Sequence, residues 1–181
     1  TLLYGLDKKG APRIAELMRR IDGMDGDFRF RVLYGYPAGV TDEVRDVLNT
    51  SRHICKYLDL PVQHSHPDIL RAMNRGKAVD ATEDLAARLR QAVPGVVLRT
   101  TCLVGFPGET DEHFEHLVEY VRRAKFDHLG GFAFSPEEDT AAFEMDGTPE
   151  PEVAEDRCQR LMALQRVIVR ERLKALKGSR D

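Results

Sequence analysis

Two short stretches of the 181-residue chain carry residue types at spacings suited to chemistry. Gly105-Phe106-Pro107-Gly108-Glu109-Thr110 sets two glycines ahead of a helix start. Backbone and ligand can approach closely there, and a helix N-terminus favours negative charge. The stretch lacks the Gly-Lys-Ser/Thr of a P-loop and the Gly-x-Gly-x-x-Gly of a dinucleotide site, so a tight strand-to-helix turn and a ligand cradle both remain open. Glu109 is an N-terminal charge in the first reading and a ligand or loop anchor in the second. His64-x-His66 would put both imidazoles on one face of a continuing strand. Some metal-dependent barrel hydrolases use that geometry, and Glu109 or Glu138 would complete the set. Pro61 and Pro67 bracket the pair and favour an exposed loop instead. His53, His113, His116 and His128 have no partner at ligand spacing and read as surface or helix residues.

Arg99 interrupts the apolar run Val97 to Cys102. A buried arginine must be paired, either by Asp59 in the neighbouring strand or by an acidic ligand. Arg71, Arg75 and Lys77 form a small basic cluster that meets phosphate or is a solvated face. Cys55, Cys102 and Cys158 are odd in number and widely scattered, which fits a reducing, cytoplasmic setting better than a disulfide framework. No two of them stand at Cys-x-x-Cys or Cys-x-x-x-Cys spacing, so no local zinc or iron–sulfur motif is present. Cys55 and Cys102 fall in strands and read as core packing.

These groups need a frame, and the chain alternates strand and helix character to supply one. Apolar residues at Ile14, Leu17, Met18 and Ile21 mark one face of a helix, and Phe28 to Tyr36 alternates as a strand. Thr41 caps a helix through Leu48, Ile54 to Leu60 is a strand, and Asp80 with Glu83 makes a capping box for a helix to Val93. Val96 to Val104 is a strongly apolar strand. Thr110 caps a helix to Lys125, His128 to Phe134 is a strand, and Pro151 opens a long final helix whose Leu161, Leu164 and Ile168 face the sheet. A helix between each pair of strands implies right-handed crossovers and an α/β layer structure, doubly wound or part of a (β/α) barrel. The functional groups then gather on one rim, where strands end and helices begin. With 42% hydrophobic and 31% charged residues the composition is globular, and a net charge of −3 leaves no basic footprint for DNA, RNA or an anionic bilayer. No stretch is long and apolar enough to read as a membrane span.

Tyr57-Leu58-Asp59-Leu60-Pro61-Val62-Gln63-His64, then Ile69-Leu70-Arg71-Ala72-Met73-Asn74-Arg75-Gly76, closely resembles a signature of the radical S-adenosylmethionine methylthiotransferases. Leu98-Arg99-Thr100-Thr101-Cys102-Leu103-Val104-Gly105-Phe106-Pro107-Gly108-Glu109-Thr110 resembles a second. The Gln63-His64 pair, the Leu98 to Thr101 lead-in and the stretch Ser135-Pro136-Glu137-Glu138-x-Thr140-Ala141 are most similar to the branch that methylthiolates the β-carbon of an aspartate in small-subunit ribosomal protein S-twelve. The tRNA-modifying branch is the alternative, with RNA contact only in that case, and a non-catalytic truncated binding module is another. The resemblance implies a six-stranded partial (β/α) TIM-like barrel, of which residues 1–181 supply the C-terminal two-thirds with about the last four parallel strands. An N-terminal cluster domain, the Cys-x-x-x-Cys-x-x-Cys loop and a C-terminal TRAM domain would lie outside this chain, leaving it inactive alone. The implied cofactors are S-adenosylmethionine and four-iron four-sulfur clusters, with the cluster ligands elsewhere. As cofactor-binding residues it implies Gln63 and His64 toward the ribose and Arg99 and Thr101 on the fifth barrel strand. Val104, Gly105 and Glu109 would support the adenine, Glu109 more as a loop anchor than as a direct contact, and Phe134 and Ser135 would offer it backbone hydrogen bonds. His66 stands where small residues are usual in the family, which weakens the His-x-His metal reading.

Overall fold

The computed structural model describes residues 4, 5, 7, 12–76 and 82–177. Four parallel strands, β1 (Phe30–Val32), β2 (Ile54–Asp59), β3 (Val97–Val104) and β4 (His128–Ala133), form one sheet in sequential order. Among the described residues six α-helices precede, connect and follow them: α1 (Ile14–Asp22), α2 (Asp42–Thr50), α3 (Pro67–Ala72), α4 (Leu85–Ala92), α5 (Asp111–Ala124) and α6 (Pro151–Leu176). This is the expected α/β architecture with parallel strands and helical crossovers.

The register aligns Asp59 with Arg99, Arg99 with His128 and Thr101 with Gly130. Along β3, Leu98, Thr100, Cys102 and Val104 are buried, whereas Arg99 is exposed and Thr101 and Leu103 are half-buried. The period of two splits the strand into a face sealed by helices and a face left open. Leu58, Leu98, Phe114, Leu117, Leu161 and Ile168 lie in the sealed core, so the final helix packs its apolar stripe as its pattern predicts. Thr41 caps α2 by accepting the Val44 N–H, and Pro151 occupies the first turn of α6.

Three expectations change. The first strand spans only three residues, because its pairing shifts between Phe30 and Val32 and Tyr34 turns left-handed at φ 55°. The loop expected between Pro61 and Pro67 is present, but it leads into an unexpected helix, α3, with Pro67 in its first turn and His66 as its cap. The capping box at Asp80 lies outside the described residues, and α4 starts at Leu85 behind a left-handed Asp84.

Candidate functional site

Each strand leads out through a left-handed residue: Tyr34 after β1, Gln63 after β2, Gly105 after β3 and Asp139 beyond β4. Non-glycine residues adopt this backbone rarely and at some cost, and such residues cluster at ligand sites. Gln63 is held there by two backbone bonds to β3: its N–H donates to Thr101 O and its carbonyl accepts from Leu103 N–H, both at 2.8 Å. The half-buried Gln63 therefore sits beside the C-terminal half of β3.

The nine residues singled out for the cofactor divide into two groups. Gln63, Arg99, Thr101, Phe134 and Ser135 are half-buried or exposed, and Arg99 and Thr101 lie on the open face. Arg99 is not the buried arginine its apolar neighbours suggest. Alternation turns it outward, its side chain 46% exposed, with Nε 3.9 Å from Asp59 Oδ1. Asp59 is itself buried. Its Oδ2 accepts the Tyr34 N–H at 3.2 Å, and its Oδ1 has no hydrogen-bond partner. The partly exposed Arg99 guanidinium is open to a ligand, whereas the Asp59 oxygen beside it is enclosed. Arg99 also lines a hollow of about 560 Å³ with Arg31, Tyr57, Val97, His128 and Gly130. That volume suits a small-molecule ligand. Phe134 sits edge-on to Phe106, ring centroids 5.2 Å apart.

His64, Val104, Gly105 and Glu109 are buried behind that face, so the contacts expected of their side chains with a cofactor are replaced by contacts within the protein. Glu109 Oε2 accepts the Gly105 N–H at 3.0 Å, and Oε1 accepts from Arg157 of α6 at 3.0 Å. Arg157 also donates to the Glu109 carbonyl at 3.1 Å and to Asp111 Oδ1 at 2.7 Å. Burial pushes the Glu109 carboxyl upward, opposed by the Gly105 N–H and the Arg157 guanidinium. Glu109 is thus a loop anchor. Gly105 is a glycine for two reasons: φ is 75°, and an added Cβ would stand 2.4 Å from Ala154 Cβ of α6. A helix occupies the space a ligand would need there. His64 has no exposed surface. Its Nδ1 accepts the His66 N–H at 2.9 Å, so the proton sits on Nε2, facing Glu109 Oε2 across 3.6 Å. Burial pushes the imidazole pKa down to about 3, and the ring is neutral.

The strand alternation assumed for His64-x-His66 fails because Gln63 ends the extended run, so His64 turns inward and His66 outward. The two do not form a metal pair, and the hydrolase reading goes with it. His53 is buried, stacked on Phe28 at 4.1 Å, and is not a surface residue. Arg71 pairs with Asp68 while Arg75 lies over the Tyr36 ring, and Lys77 is outside the described residues. Sequence reasoning missed Arg157, because nothing in a long helix marks one arginine among many as the partner of a glutamate 48 positions earlier. It also missed the proximity of His66 to His113 and His116, for which the i, i+3 spacing on α5 was a usable signal.

Among the described residues no three cysteines converge. Cys102 is sealed on the helix side, where burial pushes its thiol up to about 12, and Cys158 belongs to α6. The donor set does not fit an iron–sulfur cluster. The open face does fit a small polar cofactor.

Four parallel strands in sequential order, joined by helices, are consistent with part of a (β/α) barrel, and residues 3–121 match the Radical SAM superfamily. The chain belongs to that superfamily. More particularly, it is 49% identical to the ribosomal protein uS12 methylthiotransferase RimO of Synechocystis sp., over 98% of this chain and 40% of that protein. The RimO of Parasynechococcus marenigrum is also 49% identical, over 95% of this chain and 37% of that protein. The chain spans about 40% of the length of these curated relatives. Coproporphyrinogen III oxidase HemN of Escherichia coli, a radical SAM enzyme, matches its fold with a TM-score of 0.65 at 20% identity, over 86% of this chain and 36% of that one. No helix among the described residues is long and apolar enough to cross a membrane.

Proposed function

We propose that the protein to which this chain belongs is a radical S-adenosylmethionine methylthiotransferase acting on an aspartate of ribosomal protein uS12. The observation that carries the reading is the 49% identity to RimO proteins over nearly the whole chain, including both motifs at the ends of β2 and β3. When bound, S-adenosylmethionine supplies the methyl group and the radical that takes hydrogen from the substrate carbon. The part of this chain is to bind, orient and shield. Arg99 offers a guanidinium to the cofactor carboxylate, with Asp59 Oδ1 beside it. Gln63 and Thr101 present polar groups from adjoining strands, and Phe134 and Ser135 border the adenine. Behind them His64, Val104, Gly105, Glu109 and Arg157 fix the height and direction of the β3 exit without touching the cofactor.

In this reading the cluster-binding Cys-x-x-x-Cys-x-x-Cys loop, an N-terminal cluster domain and a TRAM domain lie in sequence outside these 181 residues, and the protein works in the cytoplasm. The test is anaerobic reconstitution of the 181-residue chain beside a version extended at both ends, followed by incubation with S-adenosylmethionine and uS12. The expected result is iron and sulfide uptake, together with a methylthio mass gain on uS12, in the extended protein alone. Methylthiolation of tRNA in place of uS12 would transfer the assignment to the tRNA-modifying branch. Failure of the extended protein to take up a cluster would leave a binding module.

A further inference from the structure

The loop after β2 and the first turns of α5 bring three histidines together away from the open face of the sheet. His66 lies 4.2 Å from His113 and 5.1 Å from His116 between ring centroids. One nitrogen each of His66 and His113 and a carboxylate oxygen of Asp68 lie within 4.8 Å of one another. Asp68 divides its oxygens: Oδ1 takes Arg71 at 2.7 Å, while Oδ2 faces His66 Nδ1 at 3.9 Å. His113 and His116 are three apart on α5 and so share a face. Ser65 Oγ lies 2.9 Å from His116 Nδ1. If that nitrogen donates to the hydroxyl, Nε2 keeps its lone pair, the arrangement by which an outer partner orients a metal-binding histidine.

We propose that His66, Asp68 and His113, with His116 as the fourth ligand, bind a divalent transition metal of the zinc type. Imidazole nitrogens with one carboxylate favour zinc, cobalt or nickel over magnesium or calcium. A tetrahedral site with bonds near 2.1 Å has ligand atoms about 3.4 Å apart, so His66, Asp68 and His113 must draw in by up to about 1.4 Å and His116 must turn toward them. What it gives up is small. His66 Nδ1 accepts the Asp68 N–H at 3.3 Å and His113 Nδ1 accepts the Thr110 N–H at 3.2 Å, both long for N–H···N bonds. The metal would tie the start of α3 to the start of α5, replacing two weak caps by a cross-link between elements far apart in sequence. The inference stands on the histidine geometry and is independent of the proposed methylthiotransferase activity.

The test is a titration of the tag-free 181-residue chain with Co(II), whose visible absorption reports coordination, followed by displacement with Zn(II). One saturable equivalent is expected, with the bands of a tetrahedral nitrogen–oxygen site. Ser65→Ala should weaken binding about tenfold and Asp68→Asn about tenfold or more, with His113→Gln removing it. Asp68 is exposed, so Asp68→Asn stays folded and remains decisive if His113→Gln does not fold. The proposal is overturned by no saturable binding to the wild-type chain, by thiolate-to-cobalt charge-transfer bands, or by binding that Asp68→Asn leaves unchanged.

Discussion

The two faces of β3 are built from one alternating strand yet have opposite characters. Leu98, Thr100, Cys102 and Val104 point into helices, and the buried set behind them, His64, Gly105, Glu109 and Arg157, is closed by short contacts in which protein fills the available space. Arg99 and Thr101 point the other way; Arg99 borders a hollow, its Nε held only at 3.9 Å from an Asp59 oxygen that has no hydrogen-bond partner. The rear is enclosed and tied by the Glu109–Arg157 ion pair, and the front carries a half-exposed arginine. A motif at a strand end therefore mixes residues that meet the ligand with residues that hold the strand end in place, and only the face each occupies tells them apart.

That contrast breaks most severely if the rear anchor is cut. Arg157→Met leaves the Glu109 carboxylate buried without its cation, and the chain should lose about 3–5 kcal/mol in urea unfolding. An unchanged midpoint would mean that the pair is solvated and that the rear is no anchor. Gly105→Ala should come next, at about 2–4 kcal/mol from overpacking and left-handed strain together. Adding Ala154→Gly removes the 2.4 Å clash but not the strain, so the double variant should recover part of the loss. Full recovery would show that φ at this position costs nothing.

A smaller effect sharpens the comparison through pH. His64 is held at about 3 in the folded chain, against an unfolded value of about 6.5. Between those values the unfolded chain binds a proton that the folded chain does not. The stability is therefore full above about pH 6.5 and falls as pH drops toward about 3. About 2 kcal/mol should be lost between roughly pH 6.5 and pH 5. His64→Asn keeps an acceptor for the His66 N–H and has no proton to gain, so its profile should be flatter by that amount when both are measured with a chelator present. Equal slopes would place the acid sensitivity elsewhere. Less should change at the front: Arg99→Ala takes the nearest cation from buried Asp59 and should cost about 1 kcal/mol, and Thr101→Val should shift stability by no more than about 0.5 kcal/mol.

Much of the frame was legible because its signals are local. The apolar periods of α1 and α6, the Thr41 and Thr110 caps and the β-branched run of β3 lie where the sequence puts them. β1 was overestimated because a left-handed Tyr34 leaves no mark in a run of aromatic and aliphatic residues. α3 was missed because a proline that breaks one helix opens another equally well, and Pro67 opens this one. At the site, strand-end position was readable, but facing was not. The buried fate of His64 depends on the turn at Gln63, and that of Glu109 on an arginine from a distant helix. Arg99 was taken for a buried residue because an apolar neighbourhood in sequence is not one in space when side chains alternate.

The central claim is that the open face binds the cofactor and the buried set only supports it. Its most direct test is the affinity for S-adenosylmethionine of the longer protein carrying this chain, loaded with its cluster, with melting temperature measured on the same samples. The account predicts that Arg99→Ala weakens binding about tenfold or more in a protein that stays folded, as loss of a charge-assisted contact should. It also predicts that His64→Asn moves the melting temperature while leaving affinity within about twofold, since His64 is fully enclosed. Wild-type affinity in Arg99→Ala, or abolished binding in a fully stable His64→Asn, would contradict it.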